Sequence, residues 1–149
     1  NKIFPNFNYP NIYLIPNYWI KVIDNFIPEI SIISAGVYFG FIKKSKFLLS
    51  LEGAEFLFQM QAFSDKNYII VNNKGEKAIL YGNGIIKDFI SKIPENLEKG
   101  VFLLIFNQSN EIISIAQSRV NREEYSNLKS NGLVALNLVD KGNYLRLKQ

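Results

Sequence analysis

Hydrophobic and polar positions in the first 65 residues predict short strands that alternate with two helices. Residues 11–15 form a short run rich in residues that favour strands and closed by Pro16, which is typical of a strand that ends in a break. Asn17 can cap a helix over residues 18–26, where apolar side chains recur at helical spacing. Further strands are predicted within residues 31–42 and 47–51, on either side of a basic turn, and a second helix over residues 51–63.

The second half predicts many short strands. Residues 68–71 are predicted to form a strand that turns through Asn72-Asn73-Lys74-Gly75 and returns over residues 77–80, because Asn and Gly tolerate positive φ. Gly82-Asn83-Gly84 would then open a short amphipathic helix that carries Ile85, Ile86, Phe89 and Ile90 on its inner face. The remaining predicted elements are strands at 101–106 and 112–116 paired across a turn, a helix capped by Asn121, and strands at 133–138 and 144–147. This pattern favours a small mixed barrel over a doubly wound sheet.

The composition removes several classes of chemistry. The sequence has neither Cys nor His, so disulfides, thiol nucleophiles, the usual zinc sites and Ser-His-Asp triads are excluded. The loss of His also removes the side chain best suited to proton transfer near neutral pH. Glu52 and Glu55 lie one helical turn apart, but without a third ligand or a nearby base they indicate an exposed helix face. We therefore expect a protein that is not an enzyme and needs no cofactor and no metal.

The net charge of +4 is unevenly distributed. Residues 1–65 carry five Lys and five acids, whereas residues 66–149 carry twelve Lys or Arg and eight acids, so 12 − 8 = +4 falls in the second half. Such an excess favours polyanions and raises encounter rates with nucleic acid.

The most apolar stretch, residues 27–42, is interrupted by Pro28 and Glu29 and contains two glycines. A membrane helix needs about twenty mostly apolar residues, so this stretch predicts buried strands of a soluble intracellular protein without a membrane partner. The chain begins at Asn1 without an initiating Met and shows no signal peptide.

Two motifs resemble those of a known family. Leu80-Tyr81-Gly82-Asn83, followed by Ile85-Ile86-Lys87 and by Lys99-Gly100-Val101 before an apolar strand, is similar to the opening of a PUA domain, the pseudouridine synthase and archaeosine transglycosylase module. Asp140-Lys141-Gly142-Asn143-Tyr144-Leu145-Arg146 resembles the ending of the nuclear-import-protein-seven family of large-subunit ribosome biogenesis factors. The Gly-containing strand, basic turn and Phe-led strand of residues 37–47 are similar to that family as well.

The resemblance implies an α+β fold: an N-terminal mixed α/β domain with antiparallel strands over residues 1–65, followed by a C-terminal PUA pseudo-β-barrel over residues 66–149. The family's first strand and helix look shortened here, so the N-terminal domain is expected to be truncated at its start. The implied function is non-catalytic RNA binding in pre-rRNA processing and large-subunit assembly, in the cytoplasm, or in the nucleolus or nucleus of a eukaryote. The implied partners are pre-rRNA, with uridine-rich single strands as candidates, and assembly proteins that meet the N-terminal domain.

The candidate RNA-binding residues are basic, aromatic or turn-forming. They are Lys77, Tyr81, Gly82, Asn83, Lys87, Arg119, Arg122, Arg146 and Lys148. The glycines would place a helix N-terminus, with its free N–H donors, towards phosphate. Arginines can fork onto phosphate and Tyr81 can stack on an unpaired base. The alternatives are that the lysines only solvate the surface and that Glu123 and Glu124 form local ion pairs with the arginines.

Two other functions stay open at this point. The chain could be an adapter whose PUA fold docks a protein of an RNA-processing or RNA-degrading complex, which exposed apolar patches on the first domain would favour. It could also be an RNA-modifying enzyme, which a pocket around Asp24 or the Glu52 and Glu55 pair with a bound cofactor would favour.

Overall fold

A computed structural model describes residues 9–26, 35–63 and 67–146 of the chain. It divides into two units, residues 1–56 and 57–149, and each has a sheet of its own. The first sheet has three antiparallel strands, and the second has six strands that nearly close into a barrel. The predicted α+β fold class is confirmed, with antiparallel strands in the first unit and a barrel-like sheet in the second. The predicted strand residues 31–34 and the candidate Lys148 lie outside the described residues.

The first unit follows the predicted order of elements. It contains β1 (Asn11–Leu14), α1 (Asn17–Phe26), β2 (Val37–Lys43), β3 (Lys46–Leu49) and the start of α2 (Leu51–Gln59), in the sheet order β1-β2-β3. The basic turn joins β2 to β3 with two residues at positive φ, Lys44 (49°) and Ser45 (59°). Two successive residues of this kind match the right-handed twist of the flanking strands. Helix α2 ends four residues before the predicted end, and Gln61 has a φ of 56° just beyond it.

The second unit contains the barrel. Its elements are β4 (Tyr68–Val71), α3 (Asn73–Leu80), β5 (Ile85–Ile86), β6 (Ile90–Lys92), β7 (Phe102–Phe106), β8 (Ile112–Ser118), α4 (Arg122–Asn127), β9 (Leu133–Asp140) and α5 (Asn143–Arg146). The sheet order is β5-β9-β8-β7-β4-β6. The predicted pairing of β7 with β8 across a turn is confirmed, as are the helix capped by Asn121 and the strand that starts at Leu133.

A single segment, residues 85–92, closes the barrel. It supplies β5 at one edge of the sheet and β6 at the other, with a 3₁₀ turn (Lys87–Phe89) between them. The interior is aliphatic, since Ile69, Ile79, Ile85 and Leu103 are all fully buried. Burial of such side chains stabilises the unit by roughly 1.5–3 kcal/mol each.

Four predicted features of the second unit are wrong. The expected hairpin at residues 72–75 and the strand at 77–80 are helix α3, because Asn72 acts as an N-cap whose side chain accepts a hydrogen bond from the Gly75 N–H (2.9 Å). Strand β4 instead pairs with β6 and, in parallel, with β7.

The helix expected after Gly84 is instead the closing segment, residues 85–92. Its apolar residues belong to two short strands at opposite edges of the sheet and to the turn between them, and not to one face of a helix. The strand expected at residues 144–147 begins instead as the one-turn helix α5, in which the Arg146 N–H donates to the carbonyl of Gly142. Within the described residues, no helix is both long and apolar enough to cross a membrane.

Candidate functional site

Segments that carry basic residues meet where β8 ends and β9 begins. Arg119 follows β8 directly, and its backbone N–H donates to the carbonyl of Val134 in β9 (2.8 Å). The 3₁₀ turn lies against the connection from α4 to β9, because the N–H groups of Lys87 and Asp88 donate to carbonyls there. We call the four basic residues on these segments the basic cluster: Lys87, Arg119, Arg122 and Lys129.

Helix α4 fixes the position of Arg122 through its N-terminus. The Asn121 side chain accepts from the Glu124 N–H (2.8 Å), and the Glu124 carboxylate accepts from the Asn121 N–H (2.9 Å), which forms a capping box. The hydrogen bond from the Asn121 backbone, with a second from Lys99 (3.2 Å), lowers the pKa of Glu124. Arg122 is the first residue of this helix, so the capped turn holds its backbone in place.

Two cations flank the ring of Tyr125. The Lys87 ammonium lies 5.0 Å from the ring centroid, and the Arg122 guanidinium carbon lies 5.6 Å from it. These distances are within the range of cation–π attraction. The Lys87 ammonium also donates to the carbonyls of Ser126 (3.1 Å) and Leu128 (2.8 Å) at the end of α4. The side chain of Lys87 is therefore half-buried and held by the end of α4.

The two arginines of the basic cluster are accessible. Arg119 and Arg122 are exposed, and neither forms an ion pair with any residue of ranges 9–26, 35–63 and 67–146. The alternative that Glu124 neutralises them is not what the structure has, because that carboxylate pairs with Lys99. The two arginines thus present positive charge without an ion-pair partner among the described residues, although Glu95, Glu98 and Glu123 line the same cavity as Arg122.

A second group of candidates lies at the C-terminal end of α3. The N–H of Gly82 donates to the carbonyl of Ile79 (2.8 Å), and that of Asn83 donates to the carbonyl of Ala78 (3.1 Å). Gly82 has a φ of +89°, as expected of a residue that ends a helix. The prediction of a helix N-terminus with free donors here is therefore wrong, because these amides serve a helix C-terminus. That Gly82 and Asn83 contact RNA stays a prediction.

Arg146 bonds back to the end of β9 and to α3 instead of extending along a strand, and its side chain is 34% exposed. Its Nη1 and Nη2 atoms donate to the two carboxylate oxygens of Asp140 (3.0 and 2.9 Å), and Nη1 also donates to the carbonyl of Leu80. The hydrogen bonds to Asp140 raise the pKa of Arg146. Asp140 is 3% exposed, so this fork compensates a buried negative charge.

The structure thus separates the predicted site residues into two groups. Lys87, Arg119 and Arg122 lie in the basic cluster, and the others with a described side chain lie around α3: Lys77, Tyr81, Gly82, Asn83 and Arg146. Lys77 is exposed on α3, and Tyr81 is 77% exposed just after it.

Sequence reasoning missed Asn137, which joins the second group to β9. Its side-chain N–H group donates to the carbonyls of Ile79 (3.0 Å) and Asn83 (3.3 Å) and to the Asp140 carboxylate (3.0 Å). The available signal was a lone amide within the apolar run of residues 133–139. Among the described residues, no three acidic side chains gather closely enough to hold a metal ion.

Known proteins have sequences similar to this chain. Residues 67–149 match the family model described as the UPF0113 PUA domain. A UPF0113 protein of Archaeoglobus fulgidus is 33% identical over 112 residues, which are 75% of this chain and 61% of that protein. The 60S ribosome subunit biogenesis protein NIP7 of Saccharomyces cerevisiae is 26% identical over 136 residues, which are 91% of this chain and 72% of that protein. The chain thus spans less than two thirds of the archaeal relative.

Solved structures share the fold. A conserved PUA domain protein from Thermoplasma acidophilum matches with a TM-score of 0.57 at 17% identity, over 89% of this chain and 95% of that one. A PUA domain from Aeropyrum pernix matches with a TM-score of 0.55 at 12% identity, over 73% of this chain and 59% of that one. The predicted PUA-type barrel in the second half is confirmed by the fold and by the family match.

Proposed function

The chain belongs to the UPF0113 PUA domain family, and from that membership we propose that it is an RNA-binding ribosome biogenesis factor. It acts without catalysing a reaction, in pre-rRNA processing and assembly of the large ribosomal subunit. Relatives from budding and fission yeast carry the name of 60S ribosome subunit biogenesis proteins, which supports this role. The absence of Cys and His from the sequence also favours binding over catalysis.

One observation carries the proposal within the chain itself: Arg119 and Arg122 are exposed without an ion pair among the described residues. Guanidinium groups present a planar fork that fits phosphate oxygens. Each phosphate contact releases counterions, which supplies affinity without sequence preference. The basic cluster therefore supplies the general affinity for RNA, in the half of the chain that holds the net charge.

Fluorescence anisotropy with labelled RNA tests this function. A uridine-rich single strand and an adenine-rich single strand of equal length are titrated with the full chain from about 50 to about 300 mM salt. We expect the logarithm of the association constant to fall linearly with the logarithm of the salt concentration, by about 0.7 per phosphate contact. Absence of binding, or affinity that does not change with salt, would refute the proposal.

An adapter is the second candidate, and exposed apolar side chains on α1 favour it. Tyr18, Trp19, Ile20 and Val22 are between 39% and 75% exposed, and adjacent apolar groups of this kind are typical of protein contacts. Substitution of Tyr18 and Trp19 by Ser is expected to leave RNA affinity unchanged but to reduce sedimentation of the protein with ribosomal precursor particles. Equal sedimentation of the variant and the wild type would count against the adapter.

RNA binding and adapter function are compatible, because each is assigned to a different part of the chain. In this proposal residues 66–149 bind pre-rRNA, and residues 1–65 bind assembly or RNA-processing proteins. The protein then acts where ribosomal precursors assemble, which is the cytoplasm of a prokaryote or the nucleolus and nucleus of a eukaryote.

A further inference from the structure

A polar network bonds to the backbone on either side of the exposed Tyr81. Asp140 receives the Arg146 fork on one side and the Asn137 amide (3.0 Å) on the other. The fully buried Ser114 donates to the Asn137 side-chain carbonyl (2.8 Å), which fixes the orientation of that amide. The network thus connects β8, β9 and α5 to the three-residue loop Tyr81-Gly82-Asn83, which we call the tyrosine loop.

We propose that Asp140, Asn137 and Arg146 are positioning residues, which hold the tyrosine loop so that the ring of Tyr81 stacks on an unpaired base of RNA. The inference rests on the proposed RNA-binding function and gives it a base-contacting site apart from the basic cluster. Arg146 then acts on RNA through the loop, and the phosphate contacts come from other residues.

The backbone of the tyrosine loop is held from both sides. Its Gly82 and Asn83 N–H groups are bonded to carbonyls of α3, and the Asn83 carbonyl accepts from Asn137. Gly142 packs so closely that a Cβ there would overlap the carbonyl of Leu80. A Cβ at Gly82 would lie 3.2 Å from the Arg146 guanidinium. The loop therefore rests directly on the positioning residues.

The geometry of Arg146 argues against a phosphate contact. The fork and the bond to Leu80 use three of its five N–H donors, and its charge is matched by that of Asp140. Counterion release requires a cation that phosphate can neutralise, and Arg146 already has a partner.

Tyr81 has the features of a stacking platform. Its side chain is 77% exposed although its backbone is fixed at the helix end. An exposed ring on a rigid backbone loses little conformational entropy when a base covers it. Stacking of one base on an aromatic side chain changes affinity by about 5-fold to about 150-fold.

The first experiment measures how the network holds the loop, without RNA. Amide hydrogen exchange of Gly82 and Asn83 is followed in the full chain for the wild type, Arg146→Lys and Asp140→Asn. We expect exchange at these two amides to become at least about 10-fold faster in both variants, while β7 amides keep their protection. Asp140 is buried, so if Asp140→Asn fails to fold, Arg146→Lys alone decides. Unchanged exchange in Arg146→Lys would overturn the positioning role.

The second experiment measures RNA binding against salt. Tyr81→Ala is expected to weaken binding of a uridine-rich single strand by about 5-fold or more, whereas Tyr81→Phe retains the affinity within about 2-fold. Arg146→Lys should weaken binding with an unchanged salt slope. Asn73→Ala is the control, because Asn73 is exposed on α3 and is not among the candidate RNA-binding residues.

The outcomes separate this inference from the proposed function. A salt slope reduced by about 0.7 in Arg146→Gln, with unchanged amide exchange, would make Arg146 a phosphate contact and overturn the inference. Wild-type affinity of Tyr81→Ala would overturn the stacking role alone, since the basic cluster would still bind. If the wild type binds no RNA, both the proposed function and the stacking role fall, and amide exchange still decides whether the network holds the loop.

Discussion

The side chains of Lys87 and Arg122 both approach the ring of Tyr125, and the Lys87 side chain also donates to backbone carbonyls. Its ammonium donates to two carbonyls at the end of α4, positions where a helix has no partners of its own. Arg122 is exposed at the start of the same helix. The two residues therefore have different roles in stability, although both contribute charge to the basic cluster.

Lys87→Met should destabilise the fold more than Arg122→Met. The change at Lys87 keeps most of the apolar stem but removes both hydrogen bonds, so we expect a loss of about 1–2 kcal/mol in the free energy of unfolding. The matched change at Arg122 should stay within about 0.5 kcal/mol. Urea denaturation of both variants at neutral pH measures the difference, and equal losses would contradict a structural role for Lys87.

Glu124 connects stability to pH. Its pKa is lowered from 4.5, first by the hydrogen bond from the Asn121 backbone and then by Lys99. A lowered pKa in the folded state gives stability that is present above the unfolded value and is lost as pH falls through the folded value. Glu124→Gln keeps a side-chain acceptor but removes the charge. The stability advantage of the wild type over this variant should therefore shrink as pH falls from about 5 to about 3.

Urea denaturation of the wild type and Glu124→Gln at several pH values checks this expectation. Other carboxyl groups titrate in both proteins, so the difference between the two curves isolates the contribution of Glu124. Glu123→Gln is the control, because Glu123 is exposed next to it and lies outside the capping box. A difference that stays constant over this pH range would contradict the assigned hydrogen bonds.

At the scale of elements, the helix α3 that the structure shows and the hairpin predicted from the same residues imply different effects of substitutions at Asn72. Asn72 caps this helix, so Asn72→Ala should cost about 1 kcal/mol. Asn72→Ser keeps the capping acceptor and loses only the bond from the side-chain amide to the Asp88 carbonyl (2.9 Å), so it should cost less. A hairpin turn would instead need the positive φ that Asn tolerates and Ser does not. Equal destabilisation by Ala and Ser in urea denaturation would favour the turn.

Local signals in the sequence predicted the local elements well. The turn between β7 and β8 and the cap at Asn121 each depend on a few adjacent residues, and both were predicted. The closing segment was not, because residues 85–92 gain their stability from β9 on one side and β4 on the other. The parallel pairing of β4 with β7 has no local signal either.

The candidate site likewise contains residues that local sequence signals predicted and residues that contacts distant in sequence position. Arg119 and Arg122 lie close in sequence beside a predicted cap, and the structure leaves both exposed as expected for phosphate contacts. The Arg146 side chain is held against α3 by a hydrogen bond to the carbonyl of Leu80, which lies 66 residues earlier in the sequence. Asn137 acquires its role from Ser114 and from the tyrosine loop, which only the folded barrel brings together.

At the scale of the whole molecule, the position of positive charge matters more than its amount. The excess of +4 falls entirely within residues 66–149, and residues 1–65 are neutral. Two triple variants separate these effects, because each lowers the net charge by three, to +1. One changes Arg119, Arg122 and Lys129 to Gln, and the other changes Lys21, Lys43 and Lys46 to Gln.

We expect only the first variant to alter the salt dependence of RNA binding. Loss of three phosphate contacts would reduce the slope of the logarithmic plot by up to about 2, since each contact contributes about 0.7 with a single strand. The second variant should keep the wild-type slope and lose only a little long-range attraction. The Debye length is about 10 Å at 0.1 M salt, so exposed charges farther from the RNA than this are largely screened. Equal salt slopes in the two variants would mean that net charge alone attracts RNA. The residues of the basic cluster would then make no phosphate contacts of their own.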